Sequence, residues 1–330
     1  MPDLGELRGE LRAAGLFELR EGRSLVELVA LVAAMVAGLW AIASYGTYAA
    51  LALVPVLALI CTSFAMYGHE CSHRSLSASP RRNAVIAHLT FTVFSGLSTS
   101  YWRNKHDRLH HGHPNVEGVD PDIKPFPFAS SQGGHDACGP KERFFQRYFQ
   151  RWLFWPMSTL MCVGMRRSSI VHMWRAPRNR AWAIEVACLA IHHVGWIGVP
   201  LAIWGLRGFA VYATIWAGVG ILLALIFAPA HMGLPVIAEA RHDWVHQLQT
   251  TRNLQVPRPL SFFFVGLDYQ IEHHLFPKIP HANLPRAAAI TQAWCARHGI
   301  EYTTTPYVQA LAGSIAFMGS AWRTPSAVVA

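Results

Sequence analysis

Three clusters and one isolated residue arrange histidines in this 330-residue chain in a way suited to holding metal. The first cluster is His69-Glu70-Cys71-Ser72-His73. The second is His106-Asp107-Arg108-Leu109-His110-His111, and the third is Gln270-Ile271-Glu272-His273-His274. The single residue is His231, in Ala228-Pro229-Ala230-His231. Side chains four apart on a helix share a face, so His69 and His73 point together, as do His106 and His110, with His111 beside them. One ion uses about three or four protein imidazoles, so this many histidines imply two ions. Imidazole without thiolate suits iron, copper, zinc or nickel. Each cluster also sets an acid beside a histidine (Glu70, Asp107, Glu272), the residue type that orients the other ring nitrogen of a ligand.

The remaining histidines carry plainer readings. His88, His113, His135, His172, His281 and His298 read as surface or satisfied polar residues, so His135→Ala is expected to be nearly silent. His242 and His246 read as solvated surface. For His192 and His193, inside an apolar run, function and packing between helices weigh equally. Taken alone, His69–His73 fits H-E-x-x-H, the zinc-protease motif in which the glutamate activates water. That chemistry needs one further ligand and leaves His106, His110, His111, His273 and His274 unexplained. No Ser-His-Asp set is present, and the six cysteines contain no CxxC pair, so they read as isolated reduced thiols.

The ligands need a scaffold, and four apolar runs are long enough to cross a bilayer, which takes about 20 helical residues. They are Leu25–Ala43, Thr47–Tyr67, Ala181–Trp204 and Phe209–Ala230, with Glu27 in the first and Glu185 in the third as their acids. Ser44–Gly46 and Gly205–Gly208 divide them into pairs, and connections that short predict two antiparallel hairpins. Weaker stretches at Ala84–Tyr101, Leu153–Met165 and Leu260–Leu267 are expected to be interfacial or buried. The composition agrees: 52% apolar and 14% charged, where soluble chains carry roughly 25% charge. It excludes disorder, collagen-like repeats and a small disulfide scaffold.

Of the 28 lysines and arginines, 27 fall on one side of the proposed membrane, as do 16 of the 18 histidines. The positive-inside rule makes that side cytoplasmic. The formal charge of +9 is thereby explained by topology, without nucleic acid as a partner. Residues 1–24 form a cytosolic amphipathic segment in which Leu4, Leu7 and Leu11 repeat at helical spacing, expected to lie at the membrane interface. No secretory-signal pattern is present. Residues 25–305 form the main domain and 306–330 a tail, whose Leu311–Trp322 is too short to span.

With these residues in view, the chain resembles the membrane-bound fatty acid desaturases, with their three histidine boxes and non-haem di-iron centre. The match is close at Gln270-Ile271-Glu272-His273-His274-Leu275-Phe276-Pro277. A third box beginning with glutamine is similar to the front-end branch and its bacterial acyl-CoA or acyl-lipid relatives. His106 to Asn115 resembles the second box with its trailing Pro-Asn, and Gln249-Thr250-Thr251-Arg252-Asn253 resembles the stretch preceding the third box. The similarity covers roughly residues 40–305.

The resemblance implies an all-α membrane protein, with four transmembrane helices beneath a cytosolic helical cap that holds the irons and an acyl chain in a tunnel. It carries a ligand role onto His69, His73, His106, His110, His111, His231, His273 and His274. Gln270 stands where many relatives have histidine, Val265 where glycine is frequent and Asp268 where asparagine is common. The implied activity is O2-dependent insertion of a double bond into a fatty acyl chain on CoA or lipid. A fused cytochrome b5 domain is not expected: 24 residues before the first run cannot house one, and no His-Pro-Gly-Gly haem motif occurs. Electrons are therefore expected from a separate carrier of ferredoxin or cytochrome b5 type. The membrane would be a bacterial inner membrane, or the endoplasmic reticulum in a eukaryote. A di-iron hydroxylase of acyl, alkane or carotenoid substrates is the nearest alternative, then the zinc protease, then a non-enzymatic metal transporter.

Overall fold

A computed structural model describes residues 2–123, 126–239 and 243–327; His242 lies outside them. The chain is mostly helical. In order, it forms α1 (Leu4–Ala13), α2 (Glu21–Tyr45), α3 (Thr47–Ser72), α4 (Pro80–Ala87), α5 (Thr99–Trp102) and α6 (Gln132–Asp136). Then come α7 (Pro140–Tyr148), α8 (Gln150–Met157), α9 (Met161–Arg175), α10 (Arg180–His192), α11 (Val199–Trp204) and α12 (Leu206–His231). The last are α13 (Trp244–Thr250), β1 (Asn253–Gln255), α14 (Arg258–Phe264), α15 (Gln270–Leu275), α16 (Leu284–Arg297), β2 (Thr304–Pro306) and α17 (Tyr307–Met318). Three π-helical segments, His88–Phe94, Arg103–His110 and His193–Gly198, interrupt this series.

Four helices are long and apolar enough to cross a membrane: α2, α3, the continuous Arg180–Trp204 and α12. Each extends past the apolar run that marks it in the sequence, α3 by a full turn that carries the first histidine cluster. Single glycines with positive φ, Gly46 at 70° and Gly205 at 61°, close the short connections between them, a conformation that Cβ disfavours. Val26, Val29, Leu51 and Leu206 are more than two-thirds exposed; this apolar surface belongs in lipid, and the chain is a membrane protein.

Two compact units make up the chain. One contains Leu19–Arg103 and Met157–Ala224, and hence most of the spans. Here α2 meets α3 closely, a Cβ on Gly38 falling 2.7 Å from Leu57 Cδ2, and Tyr67 donates to Glu27 at 2.7 Å. The segment from α4 to Phe94 ends in an irregular turn at Ser95–Ser98 beside His192, which lies about 18 Å along its helix from Arg180. Irregular backbone at such depth persists only where its polar groups find partners within the protein. His192 Nδ1 donates to Val93 O at 3.1 Å, and Arg166 Nε to Ser95 O at 2.9 Å. The Arg166 guanidinium also donates to Tyr212 Oη at 2.8 Å and stacks over Trp216. On the other side Glu185 accepts from Ser98 Oγ, from Thr99 Oγ1 at 2.9 Å and from Ser100 N at 3.1 Å, at the start of α5. A cation thus meets the C-terminal end of one helix and an anion the N-terminal end of the next, as helix dipoles favour. His192 packs between helices, and His193 bonds back to Leu189 O at 2.7 Å.

The other unit is drawn from residues 1–18, 104–156 and 225–330. Its core joins Leu7, Leu11 and Leu16 to Ile271, Phe276, Ala287 and Trp294. This corrects the interfacial placing of the first segment. Leu7 and Leu11 are fully buried, because α16 offers a matching apolar stripe that covers them with protein instead of lipid. Asn283 Nδ2 holds the chain after α1 by donating to Leu16 O and Glu18 O. Strands β1 and β2 pair in parallel, Asn253 opposite Thr304 and Gln255 opposite Pro306.

Candidate metal centre

The second histidine cluster sits on a π-helix, and this changes which residues meet. A π-helix closes i→i+5 bonds, and His111 N–H donates to His106 O at 2.9 Å. Residues five apart then align, so His106 Nε2 and His111 Nε2 face each other at 3.1 Å. The expected pair His106 and His110 also stacks, with ring centroids 5.2 Å apart. His273 joins the first two, its ring 4.7 Å from that of His111. The ligand nitrogens of His106, His111 and His273 all lie within 4.8 Å of one another.

His110, His231 and His274 form a second group within the same distance. Their rings are 4.9 to 5.1 Å apart, and all six side chains are buried. His106 and His110 also come within that distance of Asp122, an exposed residue whose carboxylate pairs with Lys105.

Each ring of the second group is anchored through Nδ1. His110 Nδ1 meets Asp120 Oδ2 at 3.1 Å, His231 Nδ1 meets Thr250 O at 3.1 Å, and His274 Nδ1 meets Gln247 Oε1 at 3.0 Å. Gln247 Nε2 donates to His111 O, so its Oε1 is the acceptor. Carboxylate, carbonyl and amide oxygens only accept, so each Nδ1 carries the proton and each Nε2 keeps its lone pair for a metal in the neutral ring. His231 Nε2 is buried and has no hydrogen-bond partner among the described residues. A bound cation would satisfy it, and a buried all-imidazole donor set suits iron and its transition-metal neighbours.

Asp120 did not stand out in the sequence. It lies in the loop after the second cluster and receives His110, Asn115 N at 2.8 Å and Asp122 N at 2.9 Å. Burial disfavours the charged form of His110, but Asp120 and Asp122 outweigh it and raise its pKa. Burial likewise pushes Asp120 up, yet His110 and the two backbone N–H groups hold it below the usual carboxylate range. Asn115 takes φ 56° and donates from Nδ2 to His231 O and Pro235 O, linking the loop to the end of α12.

The third cluster occupies α15, whose every residue is buried. Glu272 accepts from Asn253 Nδ2 at 2.7 Å and from Tyr302 Oη at 2.8 Å, and Asn253 Oδ1 takes the Ile271 N–H. Burial pushes the Glu272 carboxyl up to about 7 despite those bonds. Gln270 is buried and donates from Nε2 to Leu267 O at 3.0 Å. Upstream, Val265 takes φ 49°, the left-handed conformation that ends α14. A β-branched residue is strained there by roughly 1–2 kcal/mol. Asp268 accepts from Ser261 Oγ at 2.6 Å, and burial pushes its carboxyl up to about 6.

The first cluster belongs to the spanning unit. His69 and His73 are buried near the C-terminal end of α3, with ring centroids 4.8 Å apart, and Glu70 is buried between them in sequence. Gly68 keeps this turn against the π-helical segment, since a Cβ there would fall 2.5 Å from Thr90 Oγ1. Asp107 lies on the second cluster's π-helix and is part-buried.

One outlying histidine differs from the sequence reading. His246 is buried, not solvated: its ring Nε2 bonds Pro114 O at 2.6 Å, tying α13 to the loop below the second cluster. His135 is a satisfied polar residue as expected, buried between Gln146 Oε1 at 2.6 Å and the ring of Trp322.

These features define a helical membrane protein carrying a buried histidine centre, anchored through its outer ring nitrogens and suited to metal. Residues 46–306 match the family model described as fatty acid desaturase, and the chain belongs to that family. Among curated relatives it is 26% identical to fatty acid desaturase 3 of Bos taurus over 77% of this chain and 58% of the relative. It is also 26% identical to the acyl-lipid (8-3)-desaturase of Rebecca salina, over 98% of this chain and 75% of that protein. A third, delta(8)-fatty-acid desaturase 1 of Arabidopsis thaliana, is 26% identical over 93% and 72%. The chain thus spans somewhat more than half of the mammalian relative.

Proposed function

We propose that this protein is an O2-dependent fatty acyl desaturase using two irons held by His69, His73, His106, His110, His111, His231, His273 and His274. The observation that carries the reading is the anchoring of three buried rings through Nδ1, with Nε2 of His231 left unsatisfied. In this reading the four spans form two hairpins beneath a cap on the cytoplasmic side, where the cations concentrate. The substrate is an acyl chain on CoA or lipid, the second being the form in the name of the acyl-lipid relative. Electrons come from a separate ferredoxin-like or cytochrome b5-like carrier, steered by the cationic cap.

When bound, iron supplies the one-electron and oxygen chemistry that removing hydrogen from an unactivated CH2 requires. The chain's own residues do the rest. Asp120, the Thr250 carbonyl and Gln247 fix the ring tautomers of three ligands, so that lone pairs and not N–H groups converge. Asp120 and Asp122 add negative charge beside His110, favouring a bound cation. Burial of all six imidazoles in the cap unit excludes bulk water. No side chain moves a proton to or from the substrate carbon, and the acyl chain need only be held in one geometry.

The test is metal analysis of purified protein together with mass spectrometry of lipids from an expressing host. About two irons per chain and a product lighter by two hydrogens support the reading. A product heavier by one oxygen points to a hydroxylase, and about one zinc with no iron to H-E-x-x-H chemistry at His69–His73.

A further inference from the structure

Helix α12 carries a proline close to its histidine end. Pro229 has no N–H, so the carbonyl four residues earlier, Leu225 O, loses the partner that a helix would give it. The pyrrolidine ring also crowds that carbonyl and bends the helix at this place. Within an apolar span, a carbonyl freed in this way persists where another group of the protein reaches it. Tyr307 does so: its Oη donates to Leu225 O at 3.1 Å. The ring that carries the hydroxyl stands edge-on to Phe264, with centroids 5.8 Å apart.

Opposite ends of one small sheet grip the two sides of the bend. Strand β2 ends at Pro306 and Tyr307 follows it, whereas β1 begins at Asn253 and Arg252 precedes it. Arg252 N donates to Ala230 O at 3.1 Å, and its guanidinium donates to Met232 O. The parallel pairing of the strands is continued by Asn253 N, which donates to Thr303 O at 3.0 Å. Tyr307 thus holds α12 ahead of Pro229, and Arg252 holds the turn behind it. His231 sits between these holds, two residues past the proline, and its Nδ1 meets Thr250 O in the stretch leading to Arg252. A change in the bend therefore swings the His231 ring relative to His110 and His274. Tyr307 lies one residue past the stretch 46–306 that matches the family, so the match does not extend to it.

We propose that Tyr307 is a positioning residue for the metal centre: its hydroxyl replaces the hydrogen bond that Pro229 removes, and so fixes the direction in which α12 presents His231. This role rests on the reading of His231 as a ligand. Tyr307 touches neither metal nor substrate and acts through Leu225 O.

The test is a set of substitutions read on folded, iron-loaded, full-length protein. Tyr307→Phe keeps the ring beside Phe264 and removes the hydroxyl alone. Release of iron to an added chelator, per folded chain, should quicken by about tenfold, the low end of what outer partners of a ligand contribute. Hydrogen exchange of residues 226–232 should quicken with it. Ser314→Ala removes a buried hydroxyl from the same helix α17, one that bonds back to Ala310 O, and should leave iron release at the wild-type rate. Pro229→Ala returns an N–H to face Leu225 O, and in that background Tyr307→Phe should add little, the mark of two changes acting on one bond. Should Pro229→Ala not insert, Tyr307→Phe and Ser314→Ala still decide the matter.

Iron release from Tyr307→Phe at the wild-type rate overturns the proposal, even where the variant unfolds at a lower temperature, since the hydroxyl would then serve packing alone. So does an undiminished effect of Tyr307→Phe beside Pro229→Ala, which would place its action elsewhere than Leu225 O. Wild-type protein that takes up no iron, cobalt or zinc overturns the reading of His231 as a ligand and this proposal with it. Metal held by the wild type and kept as firmly by Tyr307→Phe overturns this proposal alone.

Discussion

Asp120→Asn is the sharpest probe of the centre, because it changes charge without changing size. Asp120 Oδ1 serves His110 Nδ1 and Asp122 N, and Oδ2 serves His110 Nδ1 and Asn115 N. An amide in its place has one acceptor oxygen. Whichever way it lies, its NH2 group faces a backbone N–H, of Asp122 or of Asn115. One buried donor is left unsatisfied, at a cost of about 1–3 kcal/mol. The negative charge that raises His110 is lost as well, and outer partners of this kind are worth on the order of 10–100-fold in metal affinity or activity. The assay is iron per folded chain by elemental analysis, beside product formation in the same preparation. We expect both to fall by at least tenfold, and Asp122→Asn, at a part-exposed carboxylate, to fall by less. Wild-type iron content and turnover in Asp120→Asn would refute the claim that this carboxylate fixes the His110 ring.

Other outcomes follow from the same contacts. His231→Ala and His273→Ala should each abolish product, with membrane insertion intact by protease protection and iron per chain reduced. Tyr302→Phe removes the hydroxyl that bonds both Glu272 and Asn253, so thermal unfolding should show a loss of about 1–2 kcal/mol. His135→Ala should destabilise by about 1–3 kcal/mol through the orphaned Gln146, with iron per folded chain unchanged. Gly220→Ala places a methyl against Ser158 O and should cut the yield of folded protein by a cost of about 1–3 kcal/mol, read as the monodisperse fraction after extraction.

The histidine clusters were legible because imidazoles are rare and their spacing is local. The spans were legible because hydrophobicity is additive along a run. What supports them was not. Asp120 meets His110 across a loop whose path no periodicity records, and Thr250 acts through its carbonyl, which every residue type possesses. The π-helix at Arg103–His110 replaces a four-residue repeat with a five-residue one, so His111 and not His110 faces His106 most closely. His246 looked solvated because its neighbours are polar, whereas Pro114 O draws it inward. Helix α1 showed its leucine stripe plainly, but its partner in α16 lies far along the chain, and a stripe alone does not say whether lipid or protein will cover it.

The interleaving of the two units has a consequence for biosynthesis. One unit is drawn from the first residues, a middle stretch and the last third of the chain, and the apolar face of α1 packs against residues of that last third, among them Ile271, Phe276 and Trp294. While the ribosome is still at work, the spans can enter the bilayer one after another, but Leu7 and Leu11 must wait with their apolar face uncovered. Completion of that unit's core is therefore among the last events in the life of the nascent chain, and a polypeptide cut short before Trp294 would present a greasy, unclasped N-terminus to the quality-control machinery.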